Sequence, residues 1–137
     1  VLLIPAIAAA QGEIIGWGNR VIVGQQSLTD LTAVAGGWSH SLGLKSDGTI
    51  VAWGDNGSGQ CDVPEPNNYF VAIATGGGLG GHGSVFGWSL GLKSDGAIVA
   101  WGAGPGAPPE PNADFVAVAA GWVHGMGLKS DGTIVAC

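Results

Sequence analysis

Three stretches of the chain alternate large and small residues: Leu31-Thr32-Ala33-Val34-Ala35, Phe70-Val71-Ala72-Ile73-Ala74 and Phe115-Val116-Ala117-Val118-Ala119. A period of two sends successive side chains to opposite faces and predicts β-strands. Each is followed by a second apolar stretch, Ser41-Leu42-Gly43-Leu44-Lys45 and its copies ending at Lys93 and Lys129. A third, Thr49-Ile50-Val51-Ala52-Trp53 and its copies, is rich in the β-branched and aromatic residues that favour strands. Between the second and third lies Asp47-Gly48, a tight-hairpin signal because both residues tolerate positive φ. A weaker fourth strand is expected over Gln60-Cys61-Asp62-Val63-Pro64, where proline suits an edge. Pro64-Glu65-Pro66-Asn67 and Pro109-Glu110-Pro111-Asn112 read as polar connectors.

These stretches recur. Lys-Ser-Asp-Gly begins at Lys45, Lys93 and Lys129, and Trp-Gly begins at Trp17, Trp53 and Trp101. The tryptophan intervals are 36 and 48 residues, and Cys137 takes the tryptophan position 36 residues after Trp101. The longer interval comes from an insertion around Gly77–Val85 and a longer loop after Trp53. Four strands in about 40 residues, repeated, predict an all-β chain of β-propeller blades. Each blade is expected to be a four-stranded antiparallel meander. Residues 12–30 would form a partial blade, 31–69 a blade, 70–114 a blade with the insertion 77–85, and 115–137 a truncated blade. A parallel β-solenoid is the alternative, but Asp-Gly hairpins reverse the chain where solenoid strands only bend. About three and a half blades make an incomplete ring, since propellers close with four or more. Open sheet faces and edges favour association. Completion by further blades or by another copy, with self-association through open blade edges, is therefore expected.

Composition narrows the class. The chain has 27 glycines, is 46% hydrophobic and only 10% charged. Disordered chains show the opposite balance, collagen needs glycine at every third position, and long helices tolerate interior glycine poorly. Net charge is −6, and the four basic residues, Arg20, Lys45, Lys93 and Lys129, are scattered. No basic stripe for phosphates can form, so no nucleic-acid partner is expected. Residues 1–11 read as the remnant of a signal peptide. Val1–Ala10 is apolar, uncharged and too short to span a bilayer, and its alanines fit small-x-small cleavage. An ordinary buried strand is the alternative reading. A secreted or periplasmic piece of a longer protein is thus expected, without a membrane span.

In an up-and-down blade the first-to-second and third-to-fourth strand turns share one rim. That rim would carry Trp38, Ser39, Asp55, Asn56, Phe86, Trp122 and Val123, in loops that vary between repeats. The opposite rim would show the monotonous Ser-Asp-Gly hairpins. Aromatics in variable loops on a rigid scaffold suit partner binding, with Trp38, Phe86 and Trp122 as anchors. The alternative is that these aromatics pack between blades. Trp17, Trp53 and Trp101 repeat in register and are expected in the core. His40 and His124 repeat as well, which suits a structural hydrogen-bond partner. His82 has no ligand neighbours at metal spacing. Gly76–Gly81 satisfies G-x-G-x-x-G, but no helix follows to receive a pyrophosphate. Asp55–Gly59 has one carboxylate, too few for calcium. Asn56-Gly57-Ser58 is a formal glycosylation sequon. No catalytic set, metal or cofactor is expected.

The unit from Ala35 to Asn56, Ala-Gly-Gly-Trp-Ser-His-Ser-Leu-Gly-Leu-Lys-Ser-Asp-Gly-Thr-Ile-Val-Ala-Trp-Gly-Asp-Asn, followed by Gly59-Gln60, resembles the regulator-of-chromosome-condensation repeat in its short bacterial form. The resemblance implies a propeller, most often of seven blades. Period and Gly-Gln loops are most similar to a secreted bacterial propeller that inhibits β-lactamases, which implies contacts through an aromatic rim. Departures are Trp88 where other repeats have His40 and His124, and Gly43, Gly91 and Gly127 where alanine is common. The expected function is a non-enzymatic protein-binding module, an inhibitor or interaction scaffold. The alternatives are a glycan-binding propeller, with tryptophans stacked on sugars, and, by resemblance, a guanine-nucleotide exchange factor. An enzymatic propeller is a third class, for which no lone acid or histidine stands out.

Overall fold

A computed structural model describes residues 28–81 and 84–136. Nine strands are present among these residues: β1 (Leu31–Gly36), β2 (His40–Lys45), β3 (Ile50–Gly54), β4 (Phe70–Leu79), β5 (Val85–Lys93), β6 (Ile98–Gly102), β7 (Phe115–Ala120), β8 (Gly125–Lys129) and β9 (Ile134–Ala136). They form three antiparallel three-stranded sheets, β1-β2-β3, β4-β5-β6 and β7-β8-β9. Expectations that fall on Val1–Ala10, Trp17, Arg20, His82 and Cys137 lie outside the described residues.

Each hairpin forms where Asp-Gly predicts it, as a three-residue loop. Gly48 donates to the Lys45 carbonyl at 3.0 Å, and Lys45 donates to the Thr49 carbonyl at 2.8 Å. Gly48 takes φ +80°, a conformation that L side chains rarely adopt. The Asp47 carboxylate accepts from the Thr49 amide and hydroxyl at 2.9 and 2.7 Å. Those bonds hold Asp47 below the usual carboxylate range. Thr133 does the same for Asp131. The first strand of each sheet starts with a register shift, between Leu31 and Ala33, Phe70 and Ala72, or Phe115 and Ala117.

Two expectations need correction. Each sheet has three strands among the described residues, not four. Gln60–Pro64 folds as local turns: Asp62 donates to the Gly59 carbonyl, Val63 to the Cys61 carbonyl and Cys61 to the Asn56 side chain. Pro64 and Pro66 have no N–H to offer a ladder. An amide side chain serves the free edge instead. Asn67 accepts from the Ile50 amide and donates to the Ile50 carbonyl, both at 2.8 Å. Asn112 repeats this on Ile98. The connector is fastened by the next sheet, where Lys93 donates to the carbonyls of Pro66 and Asn68 and lies over the Phe70 ring. The second correction concerns the insertion. Its two ends are ladder rather than loop, because β4 and β5 extend to Leu79 and Val85 and pair Gly77 with Gly87 and Gly78 with Phe86.

The core lies between sheets. Leu42, Leu44 and Ile50 are covered by Phe70 and Trp101 of the following sheet. Trp88, Leu90, Leu92 and Ile98 are covered by Phe115. Trp101 is therefore a core residue, as expected, whereas Trp53 is half-buried. The glycines in the middle strands have a steric reason. A Cβ on Gly91 would stand 2.5 Å from the Phe70 ring, and one on Gly127 would stand 2.5 Å from Phe115. At Gly43 the opposing group is the flexible end of Leu31. Gly91→Ala is expected to destabilise the fold by about 1–3 kcal/mol through overpacking, and Gly43→Ala by less. Denaturant midpoints measured side by side check that order.

Candidate functional site

The variable loops meet at one end of the stack. Asp55 donates its amide to the Ser39 carbonyl and Ala103 donates to the Gly87 carbonyl, each at 2.9 Å. The β1–β2 and β7–β8 turns close alike, through Gly37 to the His40 carbonyl and Gly121 to the His124 carbonyl. Trp38 in the first turn is 60% exposed, and Trp122 and Val123 in the other are 58% and 61% exposed. Phe86 is half-buried on the long β4–β5 hairpin. A Cβ on Gly78 would collide with the indole of Trp122, so the hairpin's glycines let that ring lie against its backbone. An open hollow of about 270 Å³ separates the turns, lined by Gly36, Gly37, Trp38, Thr75, Gly76 and Gly121 among others.

Asp55 and Asn56 are exposed but engaged. Asn56 donates to the Asp62 carboxylate at 2.8 Å and accepts from the Cys61 amide. Asp55 accepts from Gln60 Nε2 at 2.7 Å. Ser39 is half-buried, and its Oγ is buried without a hydrogen-bond partner. The rim thus has two kinds of candidate residue. Trp38, Trp122 and Val123 present free apolar surface, whereas Asp55 and Asn56 are taken up in shaping their own loop.

The loop is anchored by a residue that sequence reasoning did not single out. Gln60 is fully buried. Its Oε1 accepts from the Ser58 amide, and its backbone carbonyl accepts from Trp101 Nε1 and Ser89 Oγ, each at 2.9 Å. Ser89 Oγ in turn lies 2.9 Å from His40 Nε2. Since the serine proton goes to Gln60, His40 Nε2 is the donor, which leaves Nδ1 unprotonated. Nδ1 is buried with no partner, and burial lowers the pKa of His40 while Asp55 and the Trp88 backbone pull it upward. His40 is thus a structural hydrogen-bond partner joining two sheets, whereas its repeat His124 is exposed. The next joint changes both members. Trp88 replaces the histidine and donates to the Trp122 carbonyl at 3.1 Å, and Gly125 stands where Ser89 would be. The only advance signal for Gln60 was the Gly59-Gln60 pair of the repeat.

Among the described residues no group of three or more His, Cys, Asp and Glu is placed to hold a metal ion. No described helix is long and apolar enough to cross a membrane.

Sheets stacked face to face, with short hairpins on one rim and variable loops on the other, define a β-propeller segment. Residues 31–60 match the family described as the regulator of chromosome condensation (RCC1) repeat. No curated protein matches it. The ectodomain of the Physcomitrella patens receptor kinase CR4 is similar at 26% identity and a TM-score of 0.59, over 77% of this chain and 28% of that one. Yeast RCC1 (Prp20), in its structure with Kap60, is similar at 23% identity and a TM-score of 0.57, over 80% and 32%. Human WBSCR16 is similar at 16% identity and a TM-score of 0.58, over 77% and 33%. The chain spans about a third of the length of these structures or less.

His40 gives the joint a pH dependence. Burial in the fold lowers its pKa, whereas the unfolded chain takes up the proton near pH 6.5. The unfolded state therefore binds more protons below that pH, and stability falls as pH drops from about 6.5 toward the lowered folded value. Above pH 7 this group contributes no slope. Urea midpoints from pH 8 to 5 are expected to show the decline, and His40→Gln is expected to flatten it.

Proposed function

We propose that this chain is a non-enzymatic protein-binding propeller module whose variable rim holds its partner. Trp38, Trp122 and Val123 supply the apolar contacts, and the hairpin bearing Phe86 forms a raised wall beside them. The observation that carries this reading is their exposure on a backbone fixed by the Gln60 network and the sheet ladders, while Trp88 and Trp101 are buried. Indoles on rigid turns lose little conformational freedom on binding and suit interface anchors. The similar yeast protein is bound to Kap60 in one structure and has binding properties toward Gsp1p and histones. Those partners belong to that protein and support the class of interaction only. An inhibitor or a scaffold would use the same rim.

The test is a quantitative protein pull-down beside a glycan array, using the chain and a Trp38→Ala/Trp122→Ala variant. Loss of each anchor is expected to weaken protein capture by at least about tenfold, the equivalent of roughly 1.4 kcal/mol. A Ser94→Ala change on the opposite rim is expected to leave capture intact. Unchanged capture by the double variant overturns the rim assignment, and binding confined to glycans overturns the protein partner.

A further inference from the structure

The loop between the first two sheets holds a reactive dipeptide that neither the core nor the apolar rim surface uses. Asn56 is the one asparagine of the chain followed by glycine. In an Asn-Gly pair the glycine nitrogen can attack the side-chain amide carbon, because no Cβ hinders its approach. The turn itself does not require that glycine. Gly57 has no positive φ, unlike Gly59 at +75°, and a Cβ on it would meet only the Asp55 carboxylate, at 3.7 and 3.8 Å. Asn56 and Gly57 are both exposed, so water reaches them. The Gly57 amide makes no hydrogen bond among the described residues.

The side-chain amide, by contrast, is held at both ends. Asn56 Oδ1 accepts from the Cys61 amide at 2.8 Å, and Nδ2 donates to Asp62 Oδ1 at 2.8 Å. Gly59 donates to the Asn56 carbonyl at 3.1 Å and closes the turn between them. Bonds to both ends of one amide fix its plane. Ring closure needs that plane to rotate toward the Gly57 nitrogen and Nδ2 to leave, so these contacts have to open first. The bond to Asp62 resists the step most. It is the charge-assisted one, and the leaving nitrogen makes it.

We propose that Asn56 is a latent deamidation site held in check by Asp62, and that its conversion opens the loop from Asp55 to Asp62 for good. The Gly57 nitrogen gives up its proton and bonds Asn56 Cγ. The Cγ–Nδ2 bond breaks, and Nδ2 takes a proton and leaves as ammonia. Water then opens the resulting succinimide, at Cγ to give aspartate or at the backbone carbon to give isoaspartate. One water enters, one ammonia leaves, and nothing is oxidised or reduced. A carboxylate at position 56 has no hydrogen for Asp62 and repels it at what was a hydrogen-bond distance. The lock cannot re-form, and the variable rim gains a negative charge beside Asp55. The Gln60 carbonyl keeps its bonds to Ser89 and Trp101, which confines the change to the loop.

Peptide mapping by mass spectrometry tests this on the intact chain, incubated at neutral pH with and without denaturant. Residue 56 is expected to convert at least about tenfold more slowly in the folded chain than in denaturant. Asp62→Ala is expected to remove most of that protection while circular dichroism shows the fold intact, and Gly57→Ala to suppress conversion in denaturant. If Asp62→Ala does not fold, Asp62→Asn replaces it. That variant keeps an acceptor oxygen without the charge and is expected to convert at an intermediate rate. The product is read through Asn56→Asp, which is expected to speed proteolysis within residues 55–62 by at least about tenfold. Asn56→Asp/Asp62→Asn exchanges donor and acceptor and is expected to return cleavage to the wild-type rate. Equal conversion in the folded chain and in denaturant overturns the proposal. So does a folded Asp62 variant that converts as slowly as the wild type, or an Asn56→Asp chain cleaved no faster than the wild type.

Discussion

The structure depends on an aromatic ring seated against a glycine. A three-stranded sheet of this size cannot bury its leucines alone, and a neighbouring sheet must reach them. Phe70 and Phe115 do so from the start of a first strand, and they can lie against their own sheet only because Gly91 and Gly127 have no side chain. Burial of a leucine or isoleucine is worth roughly 1.5–3 kcal/mol, so each joint gathers several such terms through one aromatic contact. The hairpin glycines serve the same joint from the rim. They turn the chain at positive φ and accept the amide of the following sheet.

The two joints solve the polar part of the problem differently. Between the first and second sheets, His40, Ser89, Gln60 and Trp101 form a buried chain of hydrogen bonds. Such a chain is favourable when nearly every member is satisfied, and the exception here is His40 Nδ1. Between the second and third, the loop after Trp101 is shorter and brings no glutamine. Trp88 fills the place of the histidine and reaches a backbone carbonyl instead. The rim loops that differ most between repeats are held by the joints, so exposed rim residues can vary without loosening the sheets.

Much of this was legible in the sequence. Large–small alternation, Asp-Gly hairpins and the recurring tryptophan gave the strands, the antiparallel order and the side-by-side stacking. The missing fourth strand was misjudged at Gln60–Pro64, where a short apolar pattern outvoted two nearby prolines and a side-chain amide that pairs with Ile50 in its place. The insertion resembled a loop because glycine has no side chain to show a period of two. Those glycines extend a ladder and make room for Trp88 and Trp122. Gln60 was nearly invisible, since it works through its backbone carbonyl as much as its side chain. Among the rim residues, free apolar surface at Trp38 and Trp122 was separable from the loop-shaping roles of Asp55 and Asn56 only once hydrogen bonds were known.

The ring-over-glycine contact can be measured directly with a double-mutant cycle on Phe115 and Gly127, read as unfolding free energy in denaturant. A Cβ at position 127 meets the phenylalanine ring, so replacing that ring by the smaller, flexible leucine makes room for it. The account predicts that Gly127→Ala is less damaging in the Phe115→Leu background, with a coupling of at least about 0.5 kcal/mol. Strictly additive effects would contradict it.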